Sequence, residues 1–464
     1  MSRHLARPTA VAIGLSTILV VACASERGGA RMTDADPVGG APTVSVASEP
    51  PIELHDAAGR LLAAPLLRRA LLASPRIAAA RAGVAAARQR RAQRTSLPDP
   101  SIMVGVFGDE IRTRTGDQVL SLGLSQRIPW PGKLAAAGRI ADVEALDAEI
   151  GAAIETRDVL VATMRSFIEY GFLLSAIEVS DQAGEVWDRV LAAATTGRTA
   201  THVGERIRAE IEAEQARFDV ETWRELAAVE ASRIRSLVAL DRDQALGAPA
   251  PIQPVAALPD LEALREVAHH NNDELARAAV QVRLAEARIE RAQADDGPDF
   301  SVGARYIVTD PRTDANPSHN GDDPFLFELG ATIPIWRGAR RAAVSEARSM
   351  AEAAAFRREA RRRDLDADVA AARWKVVNAQ RLVALYRETL VPQARRAARA
   401  ADALATEEGG GLTGTLETAA TWHHLELAAR RAEADLALHA IELERLVGIP
   451  LADLAISAAG EETP

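Results

Sequence analysis

The sequence predicts a mainly α-helical protein with a β-barrel portion, in which one unit of helix, β-hairpin and long helical hairpin is used twice. Two stretches carry the strand half of that prediction. In Asp117 to Lys133 (DQVLSLGLSQRIPWPGK), Leu120, Leu122, Leu124 and Ile128 alternate with Ser121, Gly123, Ser125 and Arg127. This is the period of a strand with one apolar and one polar face. Pro324 to Arg340 echoes it, with Phe325, Phe327, Leu329, Ala331 and Ile333 against Leu326, Glu328, Gly330 and Thr332. Each run ends on a proline, Pro129 or Pro334, which cannot donate to a ladder, and each leads into a long Ala-rich helical pattern. The third observation is duplication: Arg88, Arg91, Gln93, Pro98, Asp99 and Ser101 recur 200 residues later as Arg288, Arg291, Gln293, Pro298, Asp299 and Ser301.

Composition narrows the function. The chain has 464 residues, too many for one ordinary core. Its net charge of −10 argues against a nucleic-acid partner. Aromatics are only 4%, and Ala, Arg, Glu and Leu dominate, as in long helices and coiled coils.

Residues 1–22 read as a signal peptide: Arg3 and Arg7, then the apolar run Val11 to Val21. Val20-Val21-Ala22-Cys23 resembles the bacterial lipobox, which implies acylation of Cys23 and no other cofactor. A plain signal peptide with an incidental cysteine is the alternative. With Cys23 the only cysteine, the exported chain is expected to form no internal disulfide. Ala24 in place of Asp implies sorting to the outer membrane. Residues 23–58 read as a lipid-anchored linker. No later run of ~18 consecutive apolar residues exists, so no transmembrane helix is expected.

The first repeat spans 59–255. A short helix from Leu61 to Ala73 is broken by Ser74-Pro75, and a second runs from Arg76 to about Ser96. A strand near 100–108 sets Ile102, Val104 and Val106 against Met103, Gly105 and Phe107. Gly108 to Gly116 reads as a polar loop before the strand near 118–128. The long helix 131–196 has a seam of Ile140, Val143, Ile150, Ile154, Val161 and Ile168, giving a length on the order of 100 Å. Thr195 to Gly204 is a turn, and 205–240 is the returning helix. After a Pro-rich link, the second repeat (256–450) restates the plan: strands near 299–308 and 325–333, long helices 338–407 and 415–446, and a turn at Gly409 to Gly414. A tail (451–464) follows.

Strands of roughly 9–11 residues suffice to cross a bilayer when tilted. An ordinary half-buried soluble sheet is the alternative, but no apolar element is left over to cover the greasy face. Four strands cannot close, and an open edge in lipid is not tolerated. Three copies would give twelve strands around a water-filled lumen. The predicted lumen residues are Ser121, Gly123, Ser125, Arg127, Ser301, Gly303, Arg305, Glu328 and Thr332. Trp130, Tyr306, Phe325, Phe327 and Trp336 are expected towards the membrane interfaces.

The lipobox, the duplicated plan, LPDPS and GPDFS before strands and LSQRIPWPGKL after one together resemble the TolC-type outer-membrane efflux proteins, over nearly all of the mature chain. The PWPGK junction is most similar to the heavy-metal branch. The resemblance implies a homotrimer with a 12-stranded barrel on a periplasmic α-helical barrel. It also implies docking to a periplasmic adaptor and an inner-membrane pump of the RND type, and a passive duct rather than an enzyme. In such proteins acidic residues after the second turn ring a gate; Glu417 falls at the second acidic position and Gly414 replaces the first. A solvated helix charge is the bland alternative for Glu417. Gly197, Arg198 and Thr199, with Gly409, Gly410 and Gly411, are the expected adaptor-contact tips, or else simple surface turns. A periplasmic coiled-coil lipoprotein acting as scaffold or adaptor without a pore is the rival class.

Other features carry little chemistry. His269-His270 and His423-His424 are adjacent on helices, pointing about 100° apart, where chelation wants i,i+3 or i,i+4. They are read as structural or solvated, and no metal site is expected. No phosphate loop or nucleophile–base arrangement is present in the sequence.

Overall fold

In the computed structural model the described residues are 52–194, 200–252, 258–315, 317–405 and 413–451. The signal peptide, Cys23 and most of the linker lie outside them. So do the tips Gly197, Arg198, Thr199, Gly409, Gly410 and Gly411, and the tail from 452.

The first repeat comprises α1 (Ala63–Ala73), α2 (Pro75–Thr95), β1 (Ser101–Thr113), β2 (Gly116–Ile128), α3 (Pro131–Ala194) and α4 (Ala200–Leu237). The second comprises α5 (Leu261–Asn271), α6 (Asp273–Ala294), β3 (Asp299–Asp310), β4 (Phe325–Thr332), α7 (Arg337–Ala384), a π turn (Leu385–Leu390), α8 (Val391–Ala405) and α9 (Thr413–Val447). The duplication is thus structural as well as textual.

Local chemistry explains the boundaries. Pro75 opens α2 at the first helical position, where its missing N–H costs nothing. Asp260 and Asn272 cap α5 and α6, accepting from Ala263 N at 2.8 Å and Leu275 N at 2.9 Å. Gly448 ends α9 at φ +88°, against the carbonyl of Asn271.

Each repeat has its own core among its helices. In the first, Leu54, Leu61, Leu66, Ile77, Val159, Phe167, Ile234 and Val238 cluster. In the second, Leu264, Leu275, Leu365, Val369, Val376, Leu443 and Val447 do so. A third cluster, Trp187, Ala209, Ala213, Ala216, Leu416 and Ala419, joins the two helical hairpins farther along.

Four sequence expectations need correction. The linker is shorter than predicted. Leu54 and Leu61 are buried, and His55 Nε2 lies 2.9 Å from the Leu246 carbonyl, so the chain is docked well before residue 58. The polar stretch Gly108 to Thr113 is not a loop but the continuation of β1, shifted by a bulge between Val106 and Ile111.

The predicted seam of α3 is mostly only half-buried; of its six residues Ile168 alone is fully buried. Ala136, Ala141, Val159, Thr163, Ala176 and Ala183 are buried instead. α3 packs along α2, α4, α6 and α9, and small side chains let several helices approach one. The same crowding bears on hydropathy. No membrane-crossing helix is expected from sequence, yet Pro131–Arg189 is long and apolar enough by length and composition. Val159, Phe167, Leu173 and Trp187, which contribute to that composition, are buried by packing.

Candidate functional site

The four strands form one antiparallel sheet in the order β1-β2-β3-β4. Register decides which residues share a face, because directly paired residues point the same way. Ser125 pairs with Ser101 and Gly303, and Gly303 with Glu328. Gly123 pairs with Met103 and Arg305, and Arg127 with Ser301. Asp299 pairs with Thr332. All nine predicted lumen residues therefore lie on a single face. The opposite face sets Ile102, Val104 and Val106 beside Leu124, Leu122 and Leu120, then Ala304, Tyr306 and Val308, then Phe327 and Phe325.

That apolar face is uncovered. Ile102 is 77% exposed, Phe327 77% and Leu329 86%, far beyond what a water-facing sheet tolerates as a contiguous patch.

In the middle of the polar face and at its helical end, described charged side chains meet opposite charges. Arg305 meets Glu328 at 2.9 Å. At the sheet's helical end Asp299, itself buried, accepts from Arg127 at 2.6 Å and from Lys133 at 2.7 Å. It also accepts from the backbone N–H of Trp130 at 3.3 Å. The PWPGK junction is therefore a clamp fastening the end of β2 and the start of α3 to the start of β3. Trp130 lies against Phe300, with ring centroids 6.4 Å apart. A Cβ on Gly297 would fall 2.6 Å from the Trp130 ring, so that close approach needs glycine.

Sequence reading missed Asp299, Ser101, Met103 and Gly105 on this face. β1 carries apolar residues on both sides, Met103 and Phe107 as well as Ile102 and Val104, so alternation alone could not orient it. Gly105 and Gly330 leave room for Ser121 Oγ and Ser301 Oγ, which lie 2.7 and 2.4 Å from where a Cβ would stand.

Beyond the sheet, the loop from β3 to β4 is held by its own polar groups. The Arg312 guanidinium, 2.9 Å away, brings the Asp314 carboxyl down to about 2. Asn320 accepts from Arg312 N at 2.8 Å.

The far ends of the hairpins are tied to each other. Glu417, in the first turns of α9, is exposed and lies 3.7 Å from Arg208 of α4. Buried Glu205, which sequence reading did not single out, accepts from Thr413 N at 3.1 Å and from its hydroxyl. It thereby caps α9 from the other repeat. Between sheet and tip, Arg387 in the π turn reaches buried Glu426 at 2.8 Å and also Glu433. Arg430 and Arg395 approach Glu426 at 3.3 and 3.6 Å. The π turn has a local cause: Pro392, second in α8, has no N–H for the preceding turn.

In each histidine pair one ring makes a tertiary contact and the other, His270 or His424, is exposed. His423 is buried 3.2 Å from Ser180 Oγ, and burial followed by neighbouring His424 pushes its pKa down. His269 lies 2.6 Å from Asp366. No group of three or more metal-ligating side chains occurs among the described residues.

Residues 264–448 match the sequence profile of the outer membrane efflux protein family. The whole fold agrees with solved structures of outer-membrane channels, although no curated protein sequence matches the chain. The open-state Neisseria gonorrhoeae MtrE outer membrane channel superposes with a TM-score of 0.70 at 15% identity, over 84% of this chain and 89% of that one. CusC, described with conformational changes accompanying folding and transmembrane channel formation, gives 0.68 at 14% identity, over 83% and 92%. The Vibrio cholerae outer membrane protein VceC gives 0.65 at 16% identity, over 84% and 96%. The matched stretch runs from within α5 to the end of α9 and contains both strands of the second hairpin, and the first repeat has the same element order.

Proposed function

We propose that the chain is the outer-membrane exit duct of a tripartite RND-type efflux system. Three copies would close a 12-stranded barrel continued by a periplasmic α-helical barrel. One observation carries this reading: a sheet whose exposed apolar face is backed by a polar face with paired charges in its middle and at its helical end. Lipid suits the first face and a water-filled lumen the second. In water alone the apolar face would remain uncovered.

The duct is passive. It performs no catalysis; an inner-membrane pump supplies energy, and a periplasmic adaptor docks at the turns containing Gly197, Arg198, Thr199, Gly409, Gly410 and Gly411. Three copies of Glu417 around the axis of the gate would repel one another and attract cations. Acylation of Cys23 adds a lipid anchor on the periplasmic side, with no other cofactor needed.

Native mass of the protein extracted by detergent from purified outer membranes tests the reading. A heat-sensitive trimer is expected. A monomer, or a protein released by salt without detergent, would overturn it.

A further inference from the structure

A groove of about 550 Å³ opens between the two repeats, well within the size of a binding cleft. Its walls include Phe172 of α3, Pro249 and Ile252 of the link, Val383 of α7, and Ala434 and Ala437 of α9. Arg430 and Glu433 are its charged residues.

The chain that follows α9 is aimed at this groove. Gly448, at φ +88°, turns the backbone where α9 ends. Its N–H donates to the Glu444 carbonyl at 2.8 Å, and Leu451 N donates to the Glu444 carboxylate at 2.9 Å. Leu451 has thus come back beside Glu444, buried in the second core. Ala437, Glu433 and Arg430 lie seven, eleven and fourteen residues before Glu444. At ~100° per residue all three fall within about 40° of Glu444 around the helix. The stripe that starts at Glu444 therefore leads into the groove. Leu436 marks the same continuity, lining the groove and packing against the core that holds Leu451.

The first repeat shows such a return completed. After Leu237-Val238, the counterpart of Leu446-Val447, the chain turns at Ala239 with φ +50°. Arg235 Nε donates to the Gln244 carbonyl at 2.9 Å, Leu246 is buried, and Leu61 N donates to the Ala248 carbonyl at 2.8 Å. The segment after that returning helix lies back on its own repeat.

We infer that the segment from Ala452 to Pro464 lies back along α9 and fills this groove, with Ile456 against Ala437 and with Glu461 and Glu462 beside Arg430. Groove and segment belong to one copy of the chain, so the inference goes beyond the duct reading and does not depend on it.

Reach and composition agree. Ala437 and Arg430 stand about 10 and 21 Å from Glu444 along the axis. Thirteen residues follow Leu451, and at half of full extension they cover roughly 22 Å. The segment offers Leu454, Ile456 and four alanines to the apolar walls. Its charges are Asp453, Glu461 and Glu462, with no base. Near the end of the groove three guanidiniums, Arg387, Arg395 and Arg430, meet two carboxylates, Glu426 and Glu433. One positive charge is left over, and Arg430 Nε, enclosed, makes no hydrogen bond among the described residues. An acidic segment complements that excess.

Disulfide trapping in outer membranes tests the contact, since Cys23 is the only native cysteine. Oxidation of Ala437→Cys with Ile456→Cys should link the two tryptic peptides within one chain in most molecules, because a bridge needs Cα atoms within ~7 Å. His439→Cys with Ile456→Cys, on the opposite face of α9, should link little. Equal linkage in both pairs, or linkage in neither, would overturn the inference. Covalent dimers would overturn it too, by placing the segment of a second copy in the groove. In a second arm, deletion of Ala452 to Pro464 should raise amide exchange several-fold at Ala250, Ile252 and Phe172 to Ser175. Unchanged exchange there would overturn the docking, as would protection that follows added phospholipid rather than the segment. A monomer by native mass would remove the duct and leave this contact standing.

Discussion

Arg305 and Glu328 face one another across β3 and β4 at 2.9 Å, on the same side of the sheet as Ser121 and Gly123. Each cancels a charge that the other would present to the proposed lumen. Arg305→Ala leaves the carboxylate unpaired. A unit charge at 4 Å in water-like surroundings is worth ~1 kcal/mol, about a fivefold bias, so the reversal potential in a salt gradient should move towards cation preference. Glu328→Ala should move it the other way, and the double variant should return close to the parent.

Leu122 lies mid-strand on the apolar face, 42% exposed. Leu122→Arg should cost ~2–4 kcal/mol if that side chain sits near the bilayer midplane, and heat-modifiable trimer in outer membranes should fall sharply. Ser121→Arg, one residue along on the other face, should assemble. Equal assembly of both variants would count against a lipid-facing side.

Glu426 is 3% exposed, and Arg387 in the π turn makes its shortest ion pair. Arg387→Ala leaves that carboxylate with the longer contacts to Arg430 and Arg395. A loss of about 1–3 kcal/mol is expected, read by denaturant unfolding in detergent. Glu426→Gln in the Arg387→Ala background should recover part of the loss, because the uncompensated charge is gone.

Burial lowers the His423 pKa below its ordinary value of 6.5. Below pH 6.5 the unfolded chain takes up a proton that the folded chain resists, so stability should fall as pH drops from 6.5 through the folded pKa. His439 on the same helix is shifted in the same direction, again mainly by burial, and adds to the trend. Melting temperatures between pH 8 and pH 5 should decline less steeply in His423→Gln than in the parent.

Gly448 holds φ +88° with the Asn271 carbonyl 2.3 Å from where a Cβ would lie. Gly448→Ala combines left-handed strain with a backbone clash. It should cost on the order of 1–3 kcal/mol, seen as a lower melting temperature with the trimer state unchanged in the surviving protein.

The strands were legible where two-residue alternation was clean. β2 and the polar face with Ser121, Arg127, Arg305 and Glu328 could be assigned from pattern alone. β1 beyond Phe107 could not, because Asp109, Glu110 and Arg112 have the composition of a loop while their backbone continues the ladder. Helix existence was legible from the missing breakers, but burial was not. The large Ile140, Val143 and Ile150 drew attention as a seam, whereas a helix packed on several sides buries alanines. The Asp299 clamp escaped notice because its parts are remote in sequence from Arg127 and Lys133 and only strand register unites them. Glu205 was hidden for the same reason: the helix it caps belongs to the other repeat.

The π turn at Leu385–Leu390 has no counterpart in the unbroken 64-residue α3. One additional residue in a turn rotates everything beyond it by about 100° relative to the helix before. Three duplicated chains would otherwise present six equivalent hairpins at the far rim. With the phase reset in only one hairpin of each chain, the rim of the proposed trimer alternates between two kinds of surface. A ring of identical docking subunits would meet those surfaces in two distinct environments, and substitutions at matching positions of the two hairpins should weaken docking unequally.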